Sequence, residues 1–173
     1  MARNKKLTLT LDNLEGRDVP AVTFSGGTLN LIGTNGNDSF QVIDAGGQIS
    51  VVDSKILVNG KYVNSIATSS VKSIYSNLNA GNDFVDISGI AINFTAIGGS
   101  GDDYIAGGSR VNSIYGRDGD DTIIGGSAND KLYGEAGNDV INGGMGNDFI
   151  SGGTGDDELN GEDGNDKING DAG

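Results

Sequence analysis

The sequence predicts an all-β fold: a parallel solenoid of nine-residue units, preceded by a β-rich meander or irregular solenoid that caps it. Three observations carry this expectation. From Gly98 onward, glycine returns every nine residues through eight units without an insertion or a loss. In all eight units the eighth place is Ile or Leu, and in seven of them the sixth is Asp. Before Gly98, short β-branched runs alternate with Gly-Gly and Asn-Gly pairs, and no stretch keeps a helical period. The expected organisation is an N-terminal segment at 1–21, weakly ordered, a β-rich capping region at 22–97, and the repeat region at 98–173.

Composition narrows the chemistry. The chain has no Cys and no His. Disulfides, thiolate zinc sites and the commonest general base are therefore unavailable. The net charge is −13, of which 98–173 carries −12 through sixteen acids and four bases. Such a surface repels nucleic acid and anionic membranes and favours a cation as partner. No apolar run approaches the ~18 residues of a membrane span. The start, MARNKKLTLTLDNLEG, is basic but lacks the apolar stretch of a classical secretory signal. LTLTL alternates as a strand would.

In register, the units are GGSGDDYIA, GGSRVNSIY, GRDGDDTII, GGSANDKLY, GEAGNDVIN, GGMGNDFIS, GGTGDDELN and GEDGNDKIN, followed by GDAG. Position 8 holds Ile105, Ile114, Ile123, Leu132, Ile141, Ile150, Leu159 and Ile168. Position 6 holds Asp103, Asp121, Asp130, Asp139, Asp148, Asp157 and Asp166, with Asn112 in the odd unit that also carries Arg110 and Val111. Positions 1–6 are expected to turn, since glycine tolerates φ > 0 and lets carbonyls approach closely. Positions 7–9 are expected to form a short strand with position 8 inward and positions 7 and 9 outward. Two units then complete one coil. Loops of one parity stack, and their position-6 acids meet at close range, where they repel unless a cation lies between them.

This pattern resembles the RTX (hemolysin-type) calcium-binding nonapeptide repeat, G-G-x-G-x-D-x-U-x. The resemblance covers 76 of the 173 residues. It implies a calcium-binding parallel β-roll solenoid of a secreted bacterial protein, with calcium held between successive coils by the loop Asp and by turn carbonyls. Carried over, ions would join Asp103 to Asp121, Asp121 to Asp139, Asp139 to Asp157, Asp130 to Asp148 and Asp148 to Asp166, about five sites. Asp83 would close a further site with Asp103. Asp102, Asp120 and Asp156 at position 5 are candidate ligands, as are the position-4 glycines Gly101, Gly119, Gly137, Gly146, Gly155 and Gly164. A site at Asn112, or one closing on GDAG, departs from the pattern. Calcium suits such loops because it accepts six to eight hard oxygen ligands in flexible geometry, whereas magnesium demands tighter geometry. The thin core, the many glycines and the charge imply that the repeats are disordered without calcium and fold on binding it. The family commonly uses one-step export, whose signal normally follows the repeats.

In the first half, TLNLI, SFQVID, QISVVD, KILV and VKSIY are expected strands, with turns at Gly46-Gly47 and Asn59-Gly60. GTNGNDSFQ (33–41) and LNAGNDFVD (78–86) echo the repeat. Asp38 is isolated in sequence and is read as a turn residue. LDNLEGRDVPAV (11–22) resembles a short N-terminal segment of some large bacterial envelope and secreted proteins. The acids at positions 2 and 3, Asp118, Glu135, Glu162 and Asp163, are read as solvated. Tyr115 and Tyr133 are read as side-face packing rather than a sugar platform.

The expected function is calcium binding by a non-enzymatic extracellular module. Two alternatives remain. One is a surface adhesin or envelope structural module with a cell-surface or glycan partner. The other is an accessory fragment of a secreted enzyme, although residues 1–97 contain no nucleophile or metal-ligand motif. Ice binding would want aligned Thr or Asn rows, and position 3 is irregular.

Overall fold

A computed structural model describes residues 20–52 and 56–173. The expectations for LTLTL, for most of 11–22 and for the remainder of the segment before residue 20 lie outside the described residues.

Three hairpins open the described chain. β1 (Ala21–Ser25) pairs with β2 (Thr28–Ile32), and β3 (Ser39–Asp44) with β4 (Gln48–Val51). β5 (Ile56–Val58) pairs with β6 (Lys61–Val63). Their two-residue turns are Gly26-Gly27, Gly46-Gly47 and Asn59-Gly60, all at positive φ. That conformation matches the twist of paired strands and explains why the chain places Gly or Asn there. β7 (Ile66–Ala67) and a 3₁₀ turn at Thr68–Ser70 complete this part. Among the described residues no helix is long and apolar enough to cross a membrane.

From Ser73 the strands alternate between two sheets. They are β8 (Ser73–Ala80), β9 (Phe84–Asp86), β10 (Asn93–Ser100), β11 (Tyr104–Ala106) and β12 (Asn112–Asp118). Then follow β13 (Thr122–Ser127), β14 (Lys131–Ala136), β15 (Val140–Met145), β16 (Phe149–Thr154), β17 (Glu158–Asp163) and β18 (Lys167–Ala172). One sheet runs β18-β16-β14-β12-β10-β8-β2-β1-β5-β6, the other β17-β15-β13-β11-β9-β3-β4-β7. The molecule is the expected parallel β-solenoid. β2 and β3 pair in parallel with β8 and β9, so they form its first coil; over that end β1 and β4 fold back antiparallel on them, β7 pairs antiparallel with β4, and the β5–β6 hairpin joins β1 in parallel. The compositional break at Gly98 falls inside β10, and the ladder runs through it.

The strands are longer than the sequence suggests. β13, for example, covers positions 7–9 of one unit and 1–3 of the next, leaving only positions 4–6 as turn. The cause lies in the pairing. Tyr115 pairs with Tyr133 and Arg117 with Glu135, while the position-1 glycines between them, Gly116 and Gly134, are skipped. Pairing resumes at positions 2 and 3 in the same register, so the strand continues past a one-residue gap in the ladder. Position 2 lies at positive φ even where it is Arg117, Glu135 or Glu162. Arg117 and Glu135 are stacked coil on coil there and form an exposed ion pair at 3.1 Å.

The core is a column of aliphatics between the sheets. Ile105, Ile114, Ile123, Leu132, Ile141 and Ile150 are buried, Leu159 is partly buried, and Ile168 in the last coil is 44% exposed. Toward the first coil the column widens to include Phe40, Phe94, Leu29, Leu31, Ile74 and Leu78. Outside, Tyr115 and Tyr133 stack at 4.9 Å between ring centroids, with Phe149 following at 5.5 Å from Tyr133.

Ile123→Ala removes a fully enclosed side chain and is expected to cost about 2–5 kcal/mol. Ile168→Ala, at an open end, should cost much less. Urea unfolding of both variants in saturating calcium checks the contrast.

Candidate metal centre

Every stacked loop repeats one arrangement. The position-6 carboxylate uses Oδ1 to accept a hydrogen bond from the backbone N–H of position 6 in the preceding coil. Along one stack, Asp103 N–H donates to Asp121 at 2.8 Å, Asp121 to Asp139 at 2.9 Å and Asp139 to Asp157 at 2.9 Å. Along the other, Asp130 donates to Asp148 at 2.8 Å and Asp148 to Asp166 at 2.9 Å. The expected partners are therefore brought together pairwise. Asp83 joins them, donating to Asp103 at 2.8 Å across the 20-residue coil.

Asp38 heads the same stack, although sequence reasoning left it isolated. Its N–H donates to Asp83 at 2.6 Å, and it is 8% exposed. Its own Oδ2 accepts from the Thr34 N–H and hydroxyl, so the local turn role is present as well. The signal was in GTNGNDSFQ, which has glycine at positions 1 and 4, Asp at 6 and an apolar residue at 8. The excursion through β4 to β7 hid it by stretching the spacing to 45 residues.

The second carboxylate oxygen defines the site. Oδ2 of Asp83, Asp103, Asp121, Asp130, Asp139, Asp148 and Asp157 is buried and has no hydrogen-bond partner among the described residues. A buried unsatisfied polar group costs about 1–3 kcal/mol, and more when charged. Five of them, those of Asp103, Asp121, Asp130, Asp139 and Asp148, face a small gap beside a glycine. A Cβ placed on Gly98 would strike both Asp103 Oδ2 and the carbonyl of Gly116 in the next coil. Gly116, Gly125, Gly134 and Gly143 stand in the same relation to Asp121, Asp130, Asp139 and Asp148. Position 1 is thus glycine because a methyl group would fill the space between carboxylate and carbonyl. Position 4 is constrained separately: Gly101, Gly119, Gly137, Gly146, Gly155 and Gly164 have positive φ, and a Cβ on each would strike the position-4 carbonyl of the preceding coil.

Position 5 belongs to a different ladder. Asp102 accepts from the Asp120 N–H at 3.1 Å, Asp120 from Asn138 at 2.7 Å, and Asn138 from Asp156 at 2.9 Å. These bonds are exposed and run in the opposite sense to those at position 6. The structure therefore places Asp102, Asp120 and Asp156 on the outer side of the loops, away from the buried gaps. Among the described residues no three acidic side chains gather into one cluster. A cation in a gap would draw on one or two carboxylates and otherwise on carbonyl oxygen, a hard donor set that fits calcium.

Burial is also the main reason that these carboxyls resist ionisation. It pushes Asp103 up to about 6 and Asp121 and Asp130 up to about 7, against the opposing pull of the backbone hydrogen bonds. Asp83, Asp139 and Asp148 are raised for the same first cause, with a neighbouring stacked acid adding to it.

Residues 97–132, 115–150 and 142–173 match the family model of the RTX calcium-binding nonapeptide repeat, in 4 copies. Residues 97–173 are thus repeats of a calcium-binding family. No curated protein and no solved structure matches the chain.

Raised carboxyl pKa values make the metal-free fold hold protons that the unfolded chain has released. Its stability is then greatest below the ordinary Asp range and falls as pH rises through about 6 and 7, the values of Asp103, Asp121 and Asp130. Far-UV circular dichroism of metal-stripped protein should show more β-signal at pH 5 than at pH 8, and a signal that rises with pH would contradict this.

Proposed function

We propose that this chain is a calcium-binding, non-enzymatic module of an extracellular bacterial protein, whose repeat region folds when calcium enters the gaps between stacked loops. The observation that carries the reading is the row of buried Oδ2 atoms without partners, five of which share the space beside a position-1 glycine with a carbonyl of the next coil. Five gaps are framed in this way, by Asp103, Asp121, Asp139, Asp130 and Asp148. Asp83 carries the same orphaned Oδ2, but Leu78 stands in place of the framing glycine, so it is not counted with the five.

Bound calcium would supply the positive charge that these oxygens lack. The position-6 carboxylates and the turn carbonyls would hold it. Binding to the folded coil alone stabilises that coil by mass action, and the unfolded chain has no preformed site. An exterior with abundant calcium and a cytoplasm with little would then act as a folding switch. An adhesin or envelope role is compatible with this reading, and the stacked aromatic face of Tyr115, Tyr133 and Phe149 is where a glycan screen would begin.

Far-UV circular dichroism of metal-stripped protein, titrated with calcium and then separately with magnesium, tests the coupling. The expected outcome is a cooperative gain of β-signal with calcium near 10⁻⁴–10⁻³ M, roughly the range of extracellular modules, and little response to magnesium. A metal-stripped protein that already has its full signal and ignores calcium would overturn the proposal.

A further inference from the structure

One loop of the solenoid already holds something in the cation position. Asn112 takes the place of Asp at position 6 in the first loop of its stack. It is fully buried. Its Nδ2 lies 2.6 Å from the carbonyl of Arg110, 2.9 Å from that of Gly125, 3.0 Å from Asp130 Oδ1 and 3.3 Å from the carbonyl of Gly108, so its two protons are shared among these acceptors. Four oxygens thus surround one nitrogen. They come from positions 2 and 4 of its own loop, and from positions 1 and 6 of the next coil. Its Oδ1 accepts from the Gly108 N–H at 3.3 Å, which fixes the orientation of the amide.

These are the same kinds of oxygen that frame the gaps elsewhere. In the regular loops the atom at this point is an orphaned Oδ2, an acceptor among acceptors. Here it is a donor among acceptors, so the loop is satisfied by its own chain. The rest of the loop agrees. Arg110 replaces the position-4 glycine, and neither Arg110 nor Gly108 needs the left-handed conformation that the calcium-type loops use at positions 4 and 2. Asn112 N–H still donates to Asp130 at 2.7 Å, so the stack is continuous.

The first loop of the other stack is closed in a comparable way. The Thr34 hydroxyl lies 3.0 Å from Asp38 Oδ2 and 3.3 Å from the carbonyl of Gly36. Both stacks therefore begin on a loop that the protein itself completes, next to the widest part of the core.

We infer that the Asn112 carboxamide is a built-in substitute for a cation, so that its loop closes without metal and serves as the template on which the next loop binds calcium. The inference rests on the calcium reading above. It predicts that Asn112→Asp exchanges the donor for an acceptor and opens one further site. Asp148→Asn should do the reverse: its Oδ1 keeps the bond from Asp130, and the new amide fills the gap.

Calcium bound at saturation is counted by equilibrium dialysis and atomic emission for the wild-type chain and both variants. The expected result is one ion more than wild type for Asn112→Asp and one fewer for Asp148→Asn. In the circular-dichroism titration, Asn112→Asp should need more calcium than wild type to reach half its β-signal, and Asp148→Asn no more than wild type. Unchanged ion counts in variants of a chain that does bind calcium would overturn the inference alone. A wild-type chain that binds none would overturn the calcium reading with it. Should Asn112→Asp not fold, the wild-type protein still decides. The side-chain amide protons of Asn112, followed by nuclear magnetic resonance, should resist exchange in calcium-loaded protein, and calcium-dependent displacement or free exchange would refute the substitution.

Discussion

A carboxylate oxygen buried without a donor, recurring once per stacked loop, is the constraint on which the rest of this structure depends. Parallel coils of 18 residues force loops of one parity onto each other, so each Asp at position 6 must meet another. One oxygen is satisfied by the backbone of the preceding coil, and this bond sets the register between loops. The other is turned to a space bounded by a carbonyl of the following coil. Glycine at position 1 follows from keeping oxygen, and no carbon, around that space, while glycine at position 4 follows from the close approach of stacked loops. An architecture that gathers acceptors and excludes donors is unstable by itself and becomes stable with a small hard cation.

The molecule is graded along its axis. Near the first coil the two sheets enclose aromatic and branched side chains, and hairpins fold over the end. Loop polar groups there find donors within the protein, from Thr34 and from Asn112. Farther along, the enclosed layer thins to one aliphatic per unit and the orphaned oxygens accumulate. Aromatic burial is thus heaviest at the end where Asp38 finds its own donors, and the orphaned oxygens begin with the next loop of that stack, at Asp83. Such an order gives calcium-dependent coils a preformed edge to grow on and avoids the costly nucleation of a parallel sheet from isolated loops.

Much of this could be read from residues alone, because a period of nine without insertion places side chains as firmly as geometry does. The inward aliphatics from Ile105 to Ile150, the stacking of like-parity loops and the pairing of Asp103 with Asp121 needed only the repeat and the strand alternation. Hairpins at Gly46-Gly47 and Asn59-Gly60 followed from turn chemistry. Other features depend on where hydrogen bonds go. Most repeat strands run through positions 1–3 because pairing resumes beyond the skipped position 1, which periodicity does not reveal. Asp38 joins the ladder across 45 residues, and a fixed spacing cannot see past an excursion. Asp102 and Asp103 are adjacent acids with opposite fates, one in an exposed ladder and one in a buried gap, and only the direction of each side chain separates them. Asn112 was visible as an exception, but its four acceptors come from three segments of chain.

The most direct test of the central claim is anomalous diffraction from crystals grown in calcium, collected at a long wavelength where calcium scatters anomalously. The account predicts peaks inside the stacks, between Asp121 Oδ2 and the Gly134 carbonyl and at the equivalent points of the other regular loops. Gaps without peaks, or calcium found instead on the exposed acids of position 5, would contradict it.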